Sequence, residues 1–392
     1  MENIFDMIER LCPDGVEYVK IGDICHILRG NRLTKKELVP NGEFPVVHGG
    51  TTPMGYYNKY NRKSCTTVVV NTGNAGYVFW QDKKFWSSDA CFSLYPEENL
   101  LDKFLYYFLS SREDILKSRI RSGAMPTIDS NAVADILIPV PPVEVQRETI
   151  RILDEYSEKV TALNHELEKE LELRKKQYSY YRDKLLNFGN DIECKPLGEL
   201  FKIKNGLNKE KSAFGKGKPI INFTDVYKNR WLAKDSFSGL VDVTPNEIKR
   251  YSAKKGDVFF TRTSETKEDI GMSSTLIDDV PDCVFSGFVL RARPTTTLLI
   301  PKFCAYYFST YNVRKKIIKN ASFTTRATTT GEKLSKINIP IPPIEEQEKI
   351  IKILDKFDTL CNDLTSGIPA EISARKKQYE YYRDKIFDFK RR

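Results

Sequence analysis

Residues 174–184 read RKKQYSYYRDK and residues 375–385 read RKKQYEYYRDK, so that one position of eleven differs. The match continues without a gap from 138–188 to 339–389 at an offset of 201 residues, and 23 of the 51 positions are identical. An agreement of this length and order cannot result from composition alone. The chain therefore carries an internal duplication, and a repeat period this long indicates two domains and not a stacked array of short repeats.

Each copy of the repeat opens with a proline-rich segment, IPVPPVEVQ at 138–146 and IPIPPIEEQ at 339–347, and then reads as a helix. In the first copy no proline or glycine occurs between Pro142 and Gly189. Apolar residues recur there at steps of three and four, as on one helical face: Ile150, Leu153, Tyr156, Val160, Leu163, Leu167 and Leu171. A helix of about 46 residues would be roughly 70 Å long. Because such a rod cannot bury its apolar stripe alone, we expect it to pack against the second copy.

The second copy is expected to be interrupted within TSGIPAEI at 365–372. Gly367 and Pro369 should break or kink the helix there, since proline removes a helical hydrogen bond, and Ser366 is a candidate cap for the part that restarts. A continuous coiled coil is therefore not expected through this segment.

Outside the repeat lie two variable blocks, and both read as mixed α/β sequence. Segments such as TTVVV at 66–70, YVFW at 77–80 and DVFFTR at 257–262 are rich in β-formers and are separated by turn residues. Helices are expected near the end of each block, at about 101–119 and 301–319. The predicted fold class is α+β, with two mixed α/β domains and two long helices. The predicted domains are 1–141 and 189–342 for the blocks, 142–188 for the central helix and 343–392 for the C-terminal helix.

The bulk composition restricts the class of protein and of partner. The 62 basic and 53 acidic residues give a formal net charge of +9, a modest excess that suits a polyanion without requiring one. Eight scattered cysteines, none in a C-x-x-C spacing, and only three histidines argue against a zinc site, and we predict no metal. Such cysteines are typical of buried thiols in a reducing compartment. Because neither a signal peptide nor an apolar run of about 18 residues is found, we expect a cytoplasmic protein that binds no membrane.

The sequence carries none of the short motifs that mark common catalytic sites. It has no G-x-x-x-x-G-K-[ST] phosphate loop and no G-x-G-x-x-G after a strand, which argues against nucleotide and dinucleotide cofactors. The Asn/Asp-Pro-Pro-aromatic motif of amino-methyltransferases and the Pro-Asp…Asp/Glu-x-Lys pattern of nucleases are also missing. We therefore predict a protein without catalytic residues and without a cofactor.

Basic, amide and aromatic residues alternate in loop-like stretches of both blocks. Lysine and arginine neutralise phosphates, whereas arginine, asparagine, serine and threonine distinguish base edges by their hydrogen bonds. In the first block the candidate DNA contacts are Arg32, Lys35, Lys36, His48, Thr51, Thr52, Tyr56, Asn58, Lys59, Arg62, Lys63, Arg121, Met125 and Thr127. In the second block they are Lys209, Lys216, Lys218, Thr224, Lys228, Asn229, Arg230, Arg262, Ser264, Thr266, Thr324, Thr325, Arg326 and Thr328.

A plainer interpretation is that these stretches are solvated loops, which are polar in every protein. For any single stretch that interpretation is the stronger one, and the Gly/Lys sequence at 215–218 is predicted simply as a basic loop. DNA contact becomes the favoured interpretation because such stretches recur in two non-identical blocks within one duplicated frame. A duplicated scaffold with divergent loops is what a reader of two different half-sites requires.

The repeated RKKQY-x-YYRDK block has three interpretations. Tyr178, Tyr181 and Leu185 fall on one helical face, so helix packing is favoured. Docking of a partner subunit on the basic surface comes second, and phosphate contact third. The candidate spacer and docking residues are Gln146, Leu153, Arg174, Lys175, Tyr178, Tyr181, Gln347, Leu354, Arg375, Lys376, Tyr379 and Tyr382.

With its paired IP-x-PP-x-E-x-Q segments, its RKKQYxYYRDK helix ends and its alternation of variable and repeated regions, the sequence resembles the specificity subunits of type I restriction-modification systems. The segments CPDGVEYVKIGDI at 12–24 and TSGIPAEISARKKQYEYYRDK at 365–385 are similar to that family too. The resemblance covers essentially the whole chain.

The resemblance implies a function. Two target-recognition domains would each read one half of a bipartite sequence in double-stranded DNA, mainly in the major groove. Two long antiparallel helices, related by a pseudo-twofold repeat, would form the spacer between them. The partners would be two modification subunits, which bind S-adenosylmethionine and methylate adenine, and two ATP-dependent restriction subunits. The loop before each proline-rich segment, which includes Met125, Thr127 and 324–328, would lie near DNA.

Three alternatives remain open. The first is a specificity protein whose modification partner has been lost or exchanged, which would leave a DNA-binding module alone. The second is a helical scaffold that joins two protein-binding domains and has no nucleic-acid role. The third is a stand-alone methyltransferase, whose motifs are missing from this sequence.

Overall fold

The computed structural model describes residues 3–121, 123, 125–189, 191–363 and 366–392. The chain forms two compact units. Unit 1 comprises Met1–Leu167 together with Glu371–Arg392, and unit 2 comprises Glu168–Ala370. None of the helices in the described ranges is long and apolar enough to cross a membrane.

Unit 1 begins with a short amphipathic helix and continues as a mixed α/β domain. In chain order its elements are α1 (Ile4–Leu11), β1 (Tyr18–Lys20), α2 (Ile21–Ile24), β2 (Cys25–Arg29), β3 (Phe44–Val47), β4 (Gly55–Tyr57), β5 (Thr66–Val70), β6 (Val78–Gln81), β7 (Trp86–Ser87), β8 (Cys91–Pro96), α3 (Asp102–Ser111), α4 (Glu113–Ser118), α5 (Ser130–Ala134), β9 (Leu137–Pro139) and the first part of α6 (Val143–Leu185).

The main sheet of unit 1 has the strand order β2-β8-β5-β6, with every neighbour antiparallel. The predicted strand TTVVV is β5, and all five of its residues are buried, since β-branched side chains pack well on both faces of a pleated sheet. A smaller sheet has the order β4-β3-β7, in which β3 and β7 are parallel. The strand of the proline-rich segment, β9, pairs antiparallel with β1 near the start of the unit.

Unit 2 contains the last part of α6 and a second mixed α/β domain. Its further elements are β10 (Cys194–Pro196), α7 (Leu197–Leu200), β11 (Phe201–Asn205), β12 (Phe214–Ile221), α8 (Phe223–Lys228), β13 (Trp231–Leu232), β14 (Leu240–Val241), α9 (Pro245–Tyr251), β15 (Val258–Thr261), β16 (Thr263–Ser264), β17 (Ser273–Leu276), β18 (Val284–Phe285), β19 (Val289–Pro294), α10 (Pro301–Phe308), α11 (Tyr311–Asn320), β20 (Ser322–Phe323), β21 (Ala327–Thr328), α12 (Gly331–Ser335), β22 (Asn338–Pro340) and α13 (Ile344–Asn362). Helix α14 (Ile368–Ile386) follows, and its residues from 371 onward belong to unit 1.

The sheets of unit 2 repeat the plan of unit 1 with additions. The main sheet has the order β11-β19-β15-β17-β13, in which β11-β19-β15 corresponds to β2-β8-β5. The smaller sheet β14-β12-β18 again contains a parallel pair, β12 with β18, and β22 pairs with β10 as β9 does with β1. The helices expected near 101–119 and 301–319 are present as α3 with α4 and α10 with α11. The duplication therefore extends from the helices into the sheet cores.

A buried glutamine joins the start of the long helix to the domain core in each unit. The Gln146 side chain accepts a hydrogen bond from the Leu101 backbone N–H (2.9 Å) and donates to the carbonyls of Asn99 and Pro141 (both 2.9 Å). Gln347 repeats this in unit 2, where it accepts from the N–H of Ile300 (2.9 Å) and donates to two carbonyls (both 2.8 Å), those of Leu298 and Pro342. Both glutamines are fully buried. The same three hydrogen bonds thus form twice.

A carboxylate about two helical turns further on forms a second repeated link. In unit 1, Asp154 accepts hydrogen bonds from Lys103 and from the Tyr107 hydroxyl. In unit 2, Asp355 accepts from Lys302 (2.9 Å) and from the hydroxyl of the tyrosine at 306 (2.6 Å). Burial, together with the hydroxyl-to-carboxylate hydrogen bond, raises the pKa of both tyrosines well above the ordinary value. Each tyrosine therefore stays protonated and keeps donating.

The tyrosine block packs helix against helix inside each unit. In unit 1 the ring centroid of Tyr156 in α6 lies 5.7 Å from that of Tyr379 and 6.2 Å from that of Tyr382, both in α14. In unit 2 the Phe357 ring of α13 lies 6.4 Å from that of Tyr178 and 5.8 Å from the ring at position 181, both in α6. Positions 357, 379 and 382 are the repeat counterparts of 156, 178 and 181. The duplication therefore forms the same aromatic contact twice.

Neighbouring contacts give the direction of the paired helices. In unit 1, Ile152 of α6 and Ile386 of α14 line one groove, about one turn beyond the aromatic contact. In unit 2, Arg174 of α6 lies within electrostatic reach of Cys361 in α13. In both units the residue number rises along α6 while it falls along the partner helix. Each pair is therefore antiparallel.

The expected interruption of the second repeat helix is confirmed. Helix α13 ends at Asn362 and α14 begins at Ile368, with Pro369 in its first turn. Gly367 lies so close to the preceding helix that a Cβ atom there would be 2.4 Å from the Thr359 carbonyl oxygen, which only glycine avoids. The hydroxyl of Ser366, the candidate cap, donates to Asp363 (2.7 Å). Residue 365, the first of the predicted break, lies outside the described residues.

Candidate nucleic-acid interface

In unit 1, several loops meet at the end of the central strand β5. The backbone N–H of Ile128 donates to the carbonyl of Asn71 (2.9 Å), and the N–H of Asn71 donates to that of Ala90 (2.9 Å). The N–H of Ser88 donates to the carbonyl of Val47 (3.0 Å) at the end of β3. These three hydrogen bonds hold together the chain segments that follow β3 and β5 and those that precede β8 and α5.

Unit 2 forms the same backbone frame at the end of β15. The N–H of Thr329 donates to the carbonyl of Arg262 (3.0 Å), and the N–H of Arg262 donates to that of Phe288 (2.9 Å). The N–H of Ser286 donates to the carbonyl of Ile221 (2.9 Å) at the end of β12. We call these regions the loop clusters, formed in unit 1 by 48–52, 71–74, 87–90 and the described residues of 121–127, and in unit 2 by 222–228, 262–266, 286–288 and 322–328.

In each unit a glycine directly after a strand, β2 in unit 1 and β11 in unit 2, lets the backbone pack against the loop cluster. A Cβ atom at Gly30 would lie 2.2 Å from the Ser88 carbonyl oxygen, and a Cβ at Gly206 would lie 2.1 Å from that of Ser286. No larger residue fits at this approach. The RGN and NGL sequences after β2 and β11, which echo each other faintly in the sequence, are therefore structural counterparts.

Six of the predicted contacts of the first block lie in the loop cluster of unit 1: His48, Thr51, Thr52, Arg121, Met125 and Thr127. The His48 ring is exposed and its Nδ1 shares a hydrogen bond with the Ser88 hydroxyl (2.7 Å). Thr127 forms backbone bridges with Thr72 and Arg121. Arg121 is exposed and pairs with the Asp129 carboxylate (2.5 Å). Hydroxyl, imidazole and guanidinium groups thus share one surface.

The remaining predicted contacts of the first block lie elsewhere. The guanidinium of Arg62 is half-buried and donates to the carbonyls of Asn61 (2.8 Å) and Arg29 (2.7 Å), so it holds loops together. Lys63 lies over the Tyr95 ring (5.0 Å), beside the opposite end of β5 from the loop cluster. The others are exposed on the segments around the β3–β4 hairpin: Arg32, Lys35, Lys36, Tyr56, Asn58 and Lys59.

Nine of the predicted contacts of the second block lie in the loop cluster of unit 2: Thr224, Lys228, Arg262, Ser264, Thr266, Thr324, Thr325, Arg326 and Thr328. Arg326 is exposed, and its guanidinium lies 4.0 Å from the Glu265 carboxylate. The Thr266 hydroxyl donates to Asp269 (2.7 Å). The Tyr227 hydroxyl also donates to Asp269 (3.2 Å), and this carboxylate raises the tyrosine pKa. The cluster therefore presents guanidinium, hydroxyl and carboxylate groups together.

A half-buried arginine anchors the loop that carries these groups. The Arg314 guanidinium of α11 donates to the carbonyls of Gly271 (2.5 Å) and Glu268 (2.8 Å). Burial lowers the pKa of this arginine, but the ordinary value is so high that the group stays charged. The loop between β15 and β17 is therefore held by two charge-assisted hydrogen bonds.

Three lysines of the second block lie beside acidic side chains, and their contact with DNA stays a prediction. The 215–218 sequence is part of strand β12, where a basic loop was expected. Lys218 pairs with Asp282 (2.7 Å), and Lys216 lies 3.8 Å from Asp242. Lys209 pairs with Glu247 (2.9 Å), and its hydrogen bond lowers the Glu247 pKa to about 2. All three cations are outside the loop cluster and are matched by acidic partners.

Arg230 was predicted as a DNA contact, but its guanidinium is used inside unit 2. It pairs with Asp358 of α13 and lies over the rings of Tyr178 (5.0 Å) and Tyr306 (5.3 Å), with 21% of the side chain exposed. The neighbouring Asn229 amide donates to the Asp225 carbonyl (2.8 Å) at the end of α8. Arg230 therefore attaches the helices to the domain through this ion pair, and its contact with DNA stays a prediction.

Replacing Arg230 by methionine is expected to lower the free energy of unfolding by about 2–4 kcal/mol, because a half-buried Asp358 carboxylate loses its partner. Chemical denaturation followed by circular dichroism measures this. The matched control is Lys228→Met, at an exposed position two residues away, for which a change below about 0.5 kcal/mol is expected. Equal stability of the two variants would contradict the structural role of Arg230.

Two positions of the frame were missed by sequence reasoning. Asn71 and Phe288 lie at the centre of the loop clusters, yet neither belongs to a basic stretch. For Phe288 the signal is the correspondence of Ser88 with Ser286, since each serine lies three residues before the start of β8 or β19. Alignment of the two blocks on these serines pairs position 90 with position 288.

The predicted spacer and docking residues differ in accessibility. Gln146, Gln347, Leu153 and Leu354 are buried and serve the internal links between the helices and the domain cores. Of the tyrosines, Tyr178 is buried, Tyr379 is half-buried, and Tyr181 and Tyr382 are exposed. Lys175 and Lys376 are exposed, and Arg174 and Arg375 pair with Glu170 and Glu371 on their own helices. Among the described residues, no group of three or more His, Cys, Asp or Glu side chains is placed to hold a metal ion.

Comparison with known proteins places both halves of the chain in one family. Residues 13–173 and 189–374 each match the family model described as type I restriction modification DNA specificity domain. The EcoR124I/EcoR124II specificity subunit of Escherichia coli is 29% identical over 99% of this chain and 96% of its own length. The S.HindORF215P specificity subunit of Haemophilus influenzae is 30% identical over 99% of this chain and its whole length.

A solved structure agrees with the fold. A chain from work on the complex assembly and conformational transition of the type I R-M system matches with a TM-score of 0.65. It is 18% identical and covers 96% of this chain and 98% of its own length. At that identity the agreement concerns the fold alone.

Proposed function

The chain belongs to the type I restriction-modification DNA specificity family, and from this membership we propose that it selects the DNA sequence on which a type I complex acts. Each target-recognition domain, 1–141 and 189–342, reads one half of a bipartite sequence in double-stranded DNA through its loop cluster. The central and C-terminal helices, 142–188 and 343–392, set the spacing between the halves and dock the partner subunits.

The observation that carries this proposal is one backbone frame with two different sets of side chains. Three hydrogen bonds place the same loops in both units, with lengths that agree within 0.1 Å. The exposed side chains on this frame differ, with His48, Thr51 and Arg121 in unit 1 and threonine at 224, phenylalanine at 288 and arginine at 326 in unit 2. Conserved positioning with altered donors and acceptors is what two different half-sites require, because base edges differ in their hydrogen-bond patterns.

The charge of the chain supports a DNA partner. Lysine and arginine exceed aspartate and glutamate by nine. Arg326 is an exposed cation of the unit 2 loop cluster, and with its nearest carboxylate 4.0 Å away it can donate to a phosphate or to guanine. Affinity is therefore expected to fall steeply with salt, while the preference for one sequence over another is retained.

The chain itself is proposed to be non-catalytic and to bind no cofactor. Catalysis would come from two modification subunits that use S-adenosylmethionine to methylate adenine and from ATP-dependent restriction subunits. This assignment fits a sequence without nucleotide-binding or methyltransferase motifs. The complex would act in the cytoplasm, where its DNA substrate and its cofactors are found.

A selection from random duplexes tests the proposal. The chain is purified with the modification subunit encoded beside it, and bound duplexes are recovered at about 0.2 M salt and sequenced. One motif with two specified halves and an unspecified gap is expected. Recovery of duplexes without any common motif would contradict the proposal and favour the helical scaffold that joins two protein-binding domains.

A further inference from the structure

The loop cluster of unit 2 carries an exposed aromatic ring for which unit 1 has no equivalent. Phe288 is 63% exposed, although its neighbours Gly287 and Val289 are buried. The corresponding residue of unit 1 is Ala90, which is 5% exposed. Covering such a ring by a bound partner would be favourable, because its apolar surface would then be removed from water.

The backbone beneath this ring is held at both ends. The carbonyl of Phe288 accepts from the Arg262 N–H (2.9 Å), and its own N–H donates to the Ser286 hydroxyl (3.3 Å). The N–H of Val289 donates to the Ser286 carbonyl (3.0 Å). The ring is therefore presented from a fixed position at the centre of the frame.

The ring borders an open cleft with further aromatic and polar walls. The cleft has a volume of about 360 Å³ and is lined by Phe288, Phe223, Tyr227, Ser264 and Arg326, among others. The rings of Phe223 and Tyr227 are stacked at 5.7 Å with an angle of 13° between their planes. In unit 1 the position of Phe223 is a glycine, at 49. The two aromatic positions 223 and 288 thus have small residues as their counterparts in unit 1.

The chemistry of the major groove offers one strongly apolar group. Every other feature of a base edge there is a hydrogen-bond donor or acceptor, whereas thymine presents its C5-methyl group, which phenylalanine side chains contact. Arg326 and Ser264 on the same cleft supply the polar contacts that would orient the neighbouring bases.

We propose that Phe288 contacts the C5-methyl group of a thymine in the half-site read by unit 2 and thereby selects an A·T pair at one position. This inference rests on the proposed function. Unit 1, with Ala90 at the corresponding position, lacks this selection.

Deoxyuridine in place of thymine removes only the methyl group and so tests the contact. The assembled complex is titrated with duplexes of the selected motif in which each thymine of the unit 2 half is replaced in turn. Burial of one methyl group corresponds to about a fourfold change in affinity. One replacement is expected to weaken binding by that factor, and the others by less than about twofold.

Variants of Phe288 complete the test. Phe288→Ala is expected to bind the thymine duplex several-fold more weakly and to lose its sensitivity to that one replacement. Phe288→Leu, which keeps an apolar contact, should retain the sensitivity. The control is Phe214→Ala, at an exposed phenylalanine of β12 outside the cleft, which should behave like the parent chain.

The outcomes separate this inference from the proposed function. A half-site of unit 2 without thymine, or equal methyl sensitivity in the parent chain and in Phe288→Ala, overturns the thymine contact while sequence selection stands. Equal affinity of the parent complex for motif and random duplexes overturns the proposed function itself. A ring inserted between base steps would make Phe288→Ala weaken both duplexes equally, which also overturns the methyl contact.

Discussion

Replacing Gln347 by leucine is expected to lower the free energy of unfolding by about 4 kcal/mol. The leucine side chain has a similar volume but cannot form hydrogen bonds, so the N–H of Ile300 and the carbonyls of Leu298 and Pro342 lose their partner. Each unsatisfied buried polar group costs roughly 1–3 kcal/mol. Gln146→Leu should have an effect of the same size, because it removes the same three hydrogen bonds from unit 1.

Urea denaturation followed by circular dichroism measures both variants. The control is Gln378→Leu, which makes the same chemical change at an exposed position of α14 and should alter stability by less than about 0.5 kcal/mol. If the three variants unfold at the same urea concentration, the glutamines do not attach the helices to the domains. The hydrogen bonds of the two buried glutamines would then not explain why both copies of the repeat carry glutamine at this position.

Replacing Arg326 by alanine is expected to weaken binding of the assembled complex to its selected motif by about 10- to 100-fold. An arginine that donates to a base edge contributes roughly 1–3 kcal/mol to the discrimination at that position. Arg326 is exposed in the loop cluster of unit 2. Its guanidinium lies 4.0 Å from the Glu265 carboxylate, which is too far for a hydrogen bond. Only the half-site read by unit 2 should lose specificity, and at one position.

Equilibrium binding at fixed salt and a repeated selection measure these two effects. The control is Lys218→Ala, at an exposed cation of β12 that is paired with Asp282 and lies outside the cluster, and a loss below about threefold is expected. A uniform loss on all sequences would identify Arg326 as a phosphate contact. A loss of specificity in both halves would contradict the assignment of one loop cluster to one half-site.

The elements set by local pattern could be predicted from the sequence. The proline-free run after Pro142 forms α6, the TTVVV segment forms β5, and the helix breaks before Pro369 as expected. These features depend on periodicity, β-branching and proline, which act over a few residues. The gapless repeat also identified the mutual packing of the helices, since neither copy can bury its apolar face alone.

The partners of individual charges could not be predicted, because they are distant in sequence. Arg230 pairs with a carboxylate 128 residues away, and Lys218 with one 64 residues away. A basic stretch looks the same whether its cations face DNA or acidic neighbours. The frame residue Asn71 was missed for the opposite reason, since a buried amide beside a strand carries no charge signal.

Among the identical polar residues of the repeat, the glutamines at 146 and 347 are a signal that sequence reasoning can use directly. Gln146 and Gln347 are identical in the two copies and end the proline-rich segments at the same position. A polar residue that survives duplication at a position facing the core is expected to have fixed hydrogen-bond partners. Both glutamines have them.

The most direct test of the account is to map methylated adenines in DNA from cells that express this chain together with the modification subunit encoded beside it. The account predicts one recurring motif with two specified halves, separated by a constant number of unspecified bases, with a methylated adenine in each half. Methylation without a common motif, or at a single uninterrupted motif, would contradict the claim that two dissimilar loop clusters on one repeated frame select the site.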